Sequence, residues 1–435
     1  MKKIKEFAKL INGYAFKSKN YVNQGIRVIR IANVQDGYVV DDTPCFYPEN
    51  SSENITQYQL FENDLLVSLT GNVGRVALLP KTMLPAALNQ RVCCLRIDET
   101  MVNRKYLFYY LRRKQFVKDC IDASKGVAQL NLSTKWLEEY EVPVPSISEQ
   151  ERIVACIEEL FSQLDKSVEA LQKVKEQLAV YRQAVLKDAF EGKLTESWRS
   201  FNYENQNVLQ DYNSIKLSNV DFKDVSGDEN ELVLHLPESW KKIRLGEIFN
   251  IEVGGTPRRA VDAYWNGDLA WVSSGEVHFN QIRSTIEMIT EKGLHESSTK
   301  LQQKGTVLLA MIGEGKTRGQ AAILEIDATH NQNIAAIQVS KTPCNSKYIY
   351  YFLELNYENI RRTGSGNNQK ALNKERVKAI RFPFTTFAEQ NEIVSILDMK
   401  LSIHDNIEKY IEDSLEKAEI LRQSTLKQAF EGKLV

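Results

Sequence analysis

The sequence predicts an α+β protein in which two pseudo-repeated globular domains are separated by two long α-helices packed as an antiparallel coiled coil. Three observations carry this. Residues recur along the chain at an offset of 240. Each copy opens on short strand-like runs, and each closes on a long stretch without Gly or Pro in which apolar residues return every three or four positions.

The repeat is plainest at the ends of these stretches. VYRQAVLKDAFEGKL from Val180 is answered by ILRQSTLKQAFEGKL from Ile420. At the same offset Glu149-Gln150 and Ile153-Val154 return as Glu389-Gln390 and Ile393-Val394, Pro143 as Pro383, and Gln129 and Leu132 as Gln369 and Leu372. Further back the offset is 242, where NRKYLFYYL from Asn103 matches NSKYIYYFL from Asn345, and Asn89-Gln90 matches Asn331-Gln332. A period this long is a tandem duplication of a large unit, not a solenoid.

Taken in order, residues 1–147 form the first globular domain, with strand-like runs at Gly25–Ile31, Leu65–Leu69, Arg75–Leu79 and Arg91–Ile97 and a helix near Tyr106–Phe116. Residues 148–194 form the central long helix. Its helix-pair core is expected at Ile153, Ile157, Leu160, Leu164, Leu171 and Leu178, and at 1.5 Å per residue it makes a rod of roughly 65 Å. Residues 195–232 read as a polar, mostly irregular linker. Residues 233–387 form the second globular domain, with strands at Leu269–Ser273, Thr306–Leu309, Ala321–Ile326 and Ile334–Val339 and a helix near Lys347–Leu355. Residues 388–435 form the C-terminal long helix, with core positions Ile393, Leu397, Ile407, Ile411, Leu415 and Leu421. Lys400, His404 and Glu408 interrupt its stripe, so the two helices are not packed identically. Gly192 and Gly432 are the expected helix stops. Mutual packing of the two stripes is the economical arrangement, and the alternative is that each helix packs on its own globule.

Composition narrows the function. A chain of 435 residues, 43% hydrophobic and 26% charged, is long enough for two or three domains with ordinary cores. It lacks an apolar run long enough for a membrane span, and its start is too mixed for a signal peptide, so a cytoplasmic location is expected. The six cysteines form no CxxC pair and read as reduced core thiols, and no metal-spaced His/Cys cluster occurs. Net charge is only -1, but residues 1–147 and 233–387 each carry +5, while 148–194, 195–232 and 388–435 carry -2, -5 and -4. Two basic globules on acidic rods fit a polyanion gripped at two places.

The stretch AMIGEGKTRG, Ala310 to Gly319, satisfies a loose P-loop pattern. A P-loop needs a strand running into a helix whose N-terminus holds phosphate. Here Ala321 to Ile326 is another short apolar run, so the stretch reads as the tip of a hairpin.

With these parts in place the chain resembles the specificity subunits of Type I restriction-modification systems. The resemblance rests on two occurrences of a Gly and a Gln, an apolar-Pro stretch, and Glu-Gln-x-x-Ile-Val opening a long helix. The first runs from Gly126 and Gln129 through Val142-Pro143-Val144-Pro145 to Glu149–Val154. The second runs from Gly364 and Gln369 through Phe382-Pro383-Phe384 to Glu389–Val394. The AFEGKL helix ends and LPESWKKIRLGEIF, from Leu236, fit as well. The departures are Thr385 in place of Pro145 and a first domain that starts almost at Met1 without an LPESW segment.

The resemblance implies a non-catalytic DNA reader. Each globule is then a target recognition domain for one half of a split, asymmetric site on double-stranded DNA, and the helix pair is a ruler that also docks two modification (methyltransferase) subunits. Those partners carry S-adenosylmethionine and methylate adenine, and restriction subunits using ATP with Mg join the full complex. This chain itself is expected to hold no cofactor or metal. It has no Pro-Pro dipeptide, so the Asp/Asn-Pro-Pro-aromatic motif of an adenine methyltransferase is missing.

DNA contacts in the first domain are expected from Lys17, Ser18, Lys19, Asn33, from the glycine loop with Thr70, Asn72 and Arg75, and from Lys125 and Gln129. In the second they are expected from Thr256, Arg258, Arg259, Ser273, Ser274, Glu276, from the glycine loop with Lys316, Thr317 and Arg318, and from Asn367, Asn368 and Lys370. Cations on glycine loops reach phosphates or guanine edges, and Asn pairs with adenine. The aromatic groups Tyr109-Tyr110 and Tyr350 to Phe352 read as helix core. Two other functions remain open on the residues alone: a coiled-coil protein–protein adaptor without a DNA role, and a P-loop ATPase.

Overall fold

The computed structural model describes residues 1–50, 55–126, 129–202, 204, 207–218, 232–313, 315–362 and 371–434. The chain divides into two compact units, Met1–Lys173 with Ile411–Val435, and Val174–Tyr410.

The first unit contains β1 (Lys2–Lys3), β2 (Ala8–Asn12), β3 (Ile26–Ile29), β4 (Phe46–Tyr47), β5 (Gln59–Leu60), β6 (Leu65–Ser68), β7 (Val76–Leu78), β8 (Ala86–Leu88), β9 (Val92–Ile97) and β10 (Glu141–Val142). One sheet has the order β2-β9-β6-β7, antiparallel throughout, and a second has the order β4-β3-β8-β5 with β3 parallel to β8. Helices α1 (Arg104–Leu111), α2 (Lys114–Ala123) and α3 (Thr134–Glu139) lie between β9 and β10.

Side-chain alternation explains why the central strand is apolar on both faces. Leu65 and Val67 of β6 join a core with Tyr106, Leu107 and Phe116, whereas Leu66 joins Ile29, Ala86 and Leu88 between the sheets. Adjacent Cys93 and Cys94 go one to each core, and burial pushes the Cys93 thiol up to about 12. Four of the six cysteines are buried, as a core-thiol reading requires.

Helices α5 (Glu196–Phe201) and α6 (Val208–Ile215) belong to the second unit and precede its strands. Its strands are β11 (Lys241–Arg244), β12 (Ile251–Val253), β13 (Trp265–Val272), β14 (Asn280–Ile282), β15 (Glu287–Ile289), β16 (Val307–Ala310), β17 (Ala321–Leu324), β18 (Thr329–His330), β19 (Ile334–Ile337) and β20 (Arg381–Phe384). The order β12-β19-β16-β17 repeats that of the first unit and adds β14 at its edge, and β15-β13-β18 repeats β4-β3-β8, again with a parallel pair. Val307 and Leu309 of β16 face the helical core while Leu308 and Ala310 face the other sheet. The short helices are α7 (Leu245–Ile248), α8 (Glu291–His295), α9 (Ser346–Leu355), α10 (Tyr357–Arg362) and α11 (Lys374–Ala379).

The two long helices are α4 (Ile147–Phe190) and α12 (Phe387–Phe430), each 44 residues. Gly192 and Gly432 follow them at φ 71°, left-handed stops that a side chain would strain. The helices pack together and run antiparallel. Within the first unit Cys156 lies beside the Leu434 carbonyl, while Asp165, further along α4, pairs with Arg422, earlier in α12. Within the second, His404 Nε2 meets the Leu178 carbonyl at 3.0 Å and Arg182 bonds Asp405 at 2.9 Å.

The expected core stripe needs correction. Ile153, Ile157, Ile393, Leu397 and Ile411 are buried, and Leu164, Leu171, Leu178 and Leu415 are half-buried, but Leu160, Ile407 and Leu421 are exposed at 37%, 41% and 55%. Phe161 is buried in place of Leu160, and His404, read as an interruption, is buried as well. The reason is a third packing surface. Ile153, Ile157 and Phe161 share a core with α1 and with Leu426 and Ala429 of α12, and Leu397 and Leu401 share one with α9 and with Leu186 and Phe190 of α4. Each unit thus seats the start of one long helix and the end of the other, which rotates the buried face. Truncating an exposed stripe position is therefore nearly neutral: Leu421→Ala changes unfolding free energy by less than roughly 0.5 kcal/mol in urea denaturation.

Within the tract expected to be a polar, mostly irregular linker, α5 and α6 are helical. Asn207 caps α6 through the Gln210 N–H, and Val208 and Tyr212 are buried in the second unit's core. Two apolar residues four apart suffice to seat such a short helix. Among the described residues no helix is long and apolar enough to cross a membrane.

Candidate DNA interface

In the first unit the glycine loop spans β6 to β7. Thr70 donates to Asn131 Oδ1 at 3.0 Å, the Gly71 N–H to the Leu130 carbonyl at 2.8 Å, and Lys125 and Asn131 exchange backbone hydrogen bonds. These bonds draw Thr70, Asn72, Lys125 and Gln129 onto one patch, with Asn72, Lys125 and Gln129 exposed. Arg75 leaves it, bonding Gln35 at 2.7 Å. Lys17, Ser18 and Lys19 are exposed around a short 3-10 turn, and Asn20 bonds the Tyr47 hydroxyl.

The second unit's glycine loop joins the antiparallel pair β16 and β17, so it is a hairpin tip with no helix behind it to hold phosphate. Gly319 closes it at φ 87°. Three hydrogen bonds tie it to α10: Arg361 donates to the Gly315 carbonyl at 2.7 Å, Tyr357 donates to the Lys316 carbonyl, and Arg318 donates to the Arg361 carbonyl at 2.8 Å, while Arg361 also donates to the Tyr357 hydroxyl at 2.8 Å. Lys316 is the exposed cation, whereas Arg318 is turned back to support the loop. We expect Lys316→Ala to weaken binding of any DNA sequence alike and to lower the salt slope by about one charge. Arg318→Ala is expected to act by loosening the loop, seen as faster proteolysis there. Equal base selectivity losses for both would contradict this division.

Two further expectations are corrected. Asn33 is buried, accepts the Arg30 N–H at 2.9 Å and donates to the Val40 carbonyl at 2.8 Å, so it caps a turn and faces no groove. Glu276 does the equivalent in the second unit, accepting from Ser273 N at 2.8 Å, Ser273 Oγ at 2.9 Å and Ile286 N at 2.9 Å. Both carry out the backbone capping that their acceptor atoms allow after a strand.

Ser274 is half-buried beside Ser273. Arg258 and Arg259 are exposed, but Arg259 pairs with Glu287 and lies 4.0 Å from the Trp265 ring centre, and its hydrogen bond holds the Glu287 carboxyl below its usual range. Thr256 donates to Gln332. Asn367, Asn368 and Lys370 lie outside the described residues. Tyr110, Tyr350, Tyr351 and Phe352 are buried, as expected of helix core, and Tyr109 is half-buried.

Gln90 and Gln332 were not among the expected contacts, but they hold equivalent places in the two units. Parallel pairing of β3 with β8 and of β13 with β18 ends at Ile29↔Leu88 and Val272↔His330, bringing out Arg30 and Ser273 beside Asn89 and Asn331. The next residue in each unit, Gln90 or Gln332, is exposed. The repeated Asn-Gln dipeptide was the available signal.

The model for the Type I restriction modification DNA specificity domain matches residues 1–178 and 237–417. The chain belongs to that family. It is the DNA specificity subunit of a Type I restriction-modification system, non-catalytic itself within the enzyme complex. Among curated relatives, the EcoBI specificity subunit of Escherichia coli is 25% identical over 98% of this chain and 84% of its own length. The EcoKI specificity subunit of Escherichia coli K12 is 22% identical over 98% and 87%. Two solved structures share the fold at 16% identity. One, from work on complex assembly and conformational transition of the type I R-M system, aligns at TM-score 0.71 over 99% of this chain and 97% of its own. The other, the HsdS subunit from Thermoanaerobacter tengcongensis, aligns at TM-score 0.53 over 99% and 96%. As in the latter, two β-rich domains of the specificity subunit accompany two long helices packed together.

Proposed function

We propose that each unit is a target recognition domain reading one half of a split, asymmetric site on double-stranded DNA. The domains then lie at 1–147 and 233–387, with the central helix 148–194, linker 195–232 and C-terminal helix 388–435 between and after them. Helices α4 and α12 set the spacing of the half-sites and dock two modification subunits. These bring S-adenosylmethionine for adenine methylation, and restriction subunits with ATP and Mg complete the assembly, which works in the cytoplasm.

The observation that carries this reading is the repeat itself. The same strand order presents a glycine loop and an Asn-Gln strand end in each unit, while the side chains there differ. The glycine loop holds Thr70 and Asn72 in one unit and Lys316 and Thr317 in the other, with Lys125 and Gln129 beside the first loop, which supports readers of unlike half-sites. Lys17, Ser18, Lys19 and Arg75 are the further contacts of the first unit in this reading, and Thr256, Arg258, Arg259, Ser273, Ser274, Asn367, Asn368 and Lys370 those of the second.

Co-expression of the chain with its modification subunit and mapping of methyladenine by long-read sequencing tests the proposal. The expected outcome is one bipartite, asymmetric motif, whose halves exchange when the domains are swapped. A stable complex that leaves genomic adenines unmodified would sink it and favour an adaptor.

A further inference from the structure

Each unit contains a cleft between its tyrosine-bearing helix, α1 or α9, and both long helices, with volumes of about 510 Å³ in the second unit and 490 Å³ in the first. The two are built from equivalent residues. In the second unit Asp398 of α12 accepts from Tyr351 and Lys347 of α9, both at 2.6 Å. In the first, Glu158 of α4 accepts from Lys105 at 2.6 Å and Tyr109 at 3.5 Å, both on α1. Seven residues on, two turns along the same face, Asp405 and Asp165 each take the guanidinium of the opposing long helix, Arg182 and Arg422. One helix face therefore holds α1 or α9 with its first carboxylate and the partner long helix with its second.

The two joints differ at one place. In the second unit α9 carries Glu354, a buried residue whose Oε1 accepts from Arg182 Nε at 2.5 Å. Arg182 thus bonds α9 and α12 at once, and three helices meet on one planar cation. The first unit has Arg112 at that position, which turns to Asp36 at 3.1 Å, while Arg422 rests 4.5 Å from the Phe161 ring centre. There the guanidinium joins the two long helices and, among the described residues, bonds nothing on α1.

We propose that Arg182 is a positioning residue for half-site spacing. By gripping Glu354 and Asp405 together it fixes the angle at which the second recognition domain is carried on the helix pair. The rigid donor fork of an arginine resists rotation as well as separation. Both matter on DNA, because one extra base pair moves a half-site by about 3.4 Å and turns it by about 34°. A loosened joint lets the domain follow that small screw displacement and accept neighbouring spacings. This rests on the bipartite reading above.

The test uses the full chain with its modification subunits and long-read mapping of methyladenine for wild type, Arg182→Gln, Glu354→Gln and Arg422→Gln. Arg182→Gln and Glu354→Gln are expected to keep both half-site sequences while the single spacing broadens to include lengths one base pair longer or shorter. Arg422→Gln is expected to keep the wild-type spacing. A general loss of stability would lower methylation at all sites without adding spacings. If both second-unit variants methylate only the wild-type spacing, the proposal is overturned, and where Arg182→Gln fails to assemble, Glu354→Gln decides. A wild type without a bipartite motif would instead remove the underlying reading.

Discussion

Glu389→Ala is expected to destabilise the second unit by about 3–5 kcal/mol, the usual cost of stripping one partner from a buried ion pair. Glu389 is fully buried and is the acceptor for four donors: Arg199, the Trp240 indole N–H at 2.9 Å, and the hydroxyls of Thr195 at 2.8 Å and Thr385. Removing it leaves three neutral donors in the interior without their acceptor and a part-buried guanidinium with only the Gly192 carbonyl and the Thr195 hydroxyl, and α5 loses its tie to the start of α12. The repeat supplies the control. Glu149 occupies the equivalent place in the first copy of Glu-Gln-x-x-Ile-Val but is exposed, so Glu149→Ala is expected within about 0.5 kcal/mol of wild type. Tryptophans 198, 240, 265 and 271 lie in the second unit, so fluorescence-detected urea unfolding reads it preferentially. Equal losses for the two substitutions would refute the asymmetry.

Acidification is expected to weaken the same unit through His330. Burial lowers this histidine from its ordinary 6.5 to about 4. Its Nδ1 lies 3.2 Å from the Asn331 carbonyl, and among the described residues Nε2 has no hydrogen-bond partner. The folded ring stays neutral to about pH 4, whereas the unfolded chain takes up a proton near 6.5. Between these values the unfolded state binds more protons, so stability rises with pH. The contribution is fully present above 6.5 and is lost progressively down to about pH 4. The gap corresponds to about 3 kcal/mol. The difference in unfolding free energy between wild type and His330→Gln should therefore shrink as pH falls from 7 to 4.5. Parallel pH profiles for the two proteins would exclude His330 as the cause.

Both predictions depend on features of unequal visibility. The Glu-Gln-x-x-Ile-Val motif is legible as a repeat, and Gln150 and Gln390 do play one part, donating to the Pro145 carbonyl and the Thr385 carbonyl at 2.9 Å each. The unequal burial of Glu149 and Glu389 is not legible, because Arg199 and Trp240 reach Glu389 from segments 190 and 149 residues away. The polar candidates follow the same rule. Asn33, Glu276 and Arg318 read as surface contacts until their hydrogen-bond partners are known, and those of Arg318 come from a different helix.

By itself the sequence determined the duplication, the α+β class, the two long helices with their glycine stops, and the hairpin nature of AMIGEGKTRG. All of these follow from periodicity and from the local conformational limits of glycine and proline, which act within a few residues. Tertiary structure alone decided which face of each long helix is buried, that part of the polar linker belongs to the second unit's core, and which cations face outward. Burial and hydrogen-bond satisfaction are set by whatever element packs opposite, so Phe161 displaced Leu160 and His404 entered the core only once a third surface met the helix pair.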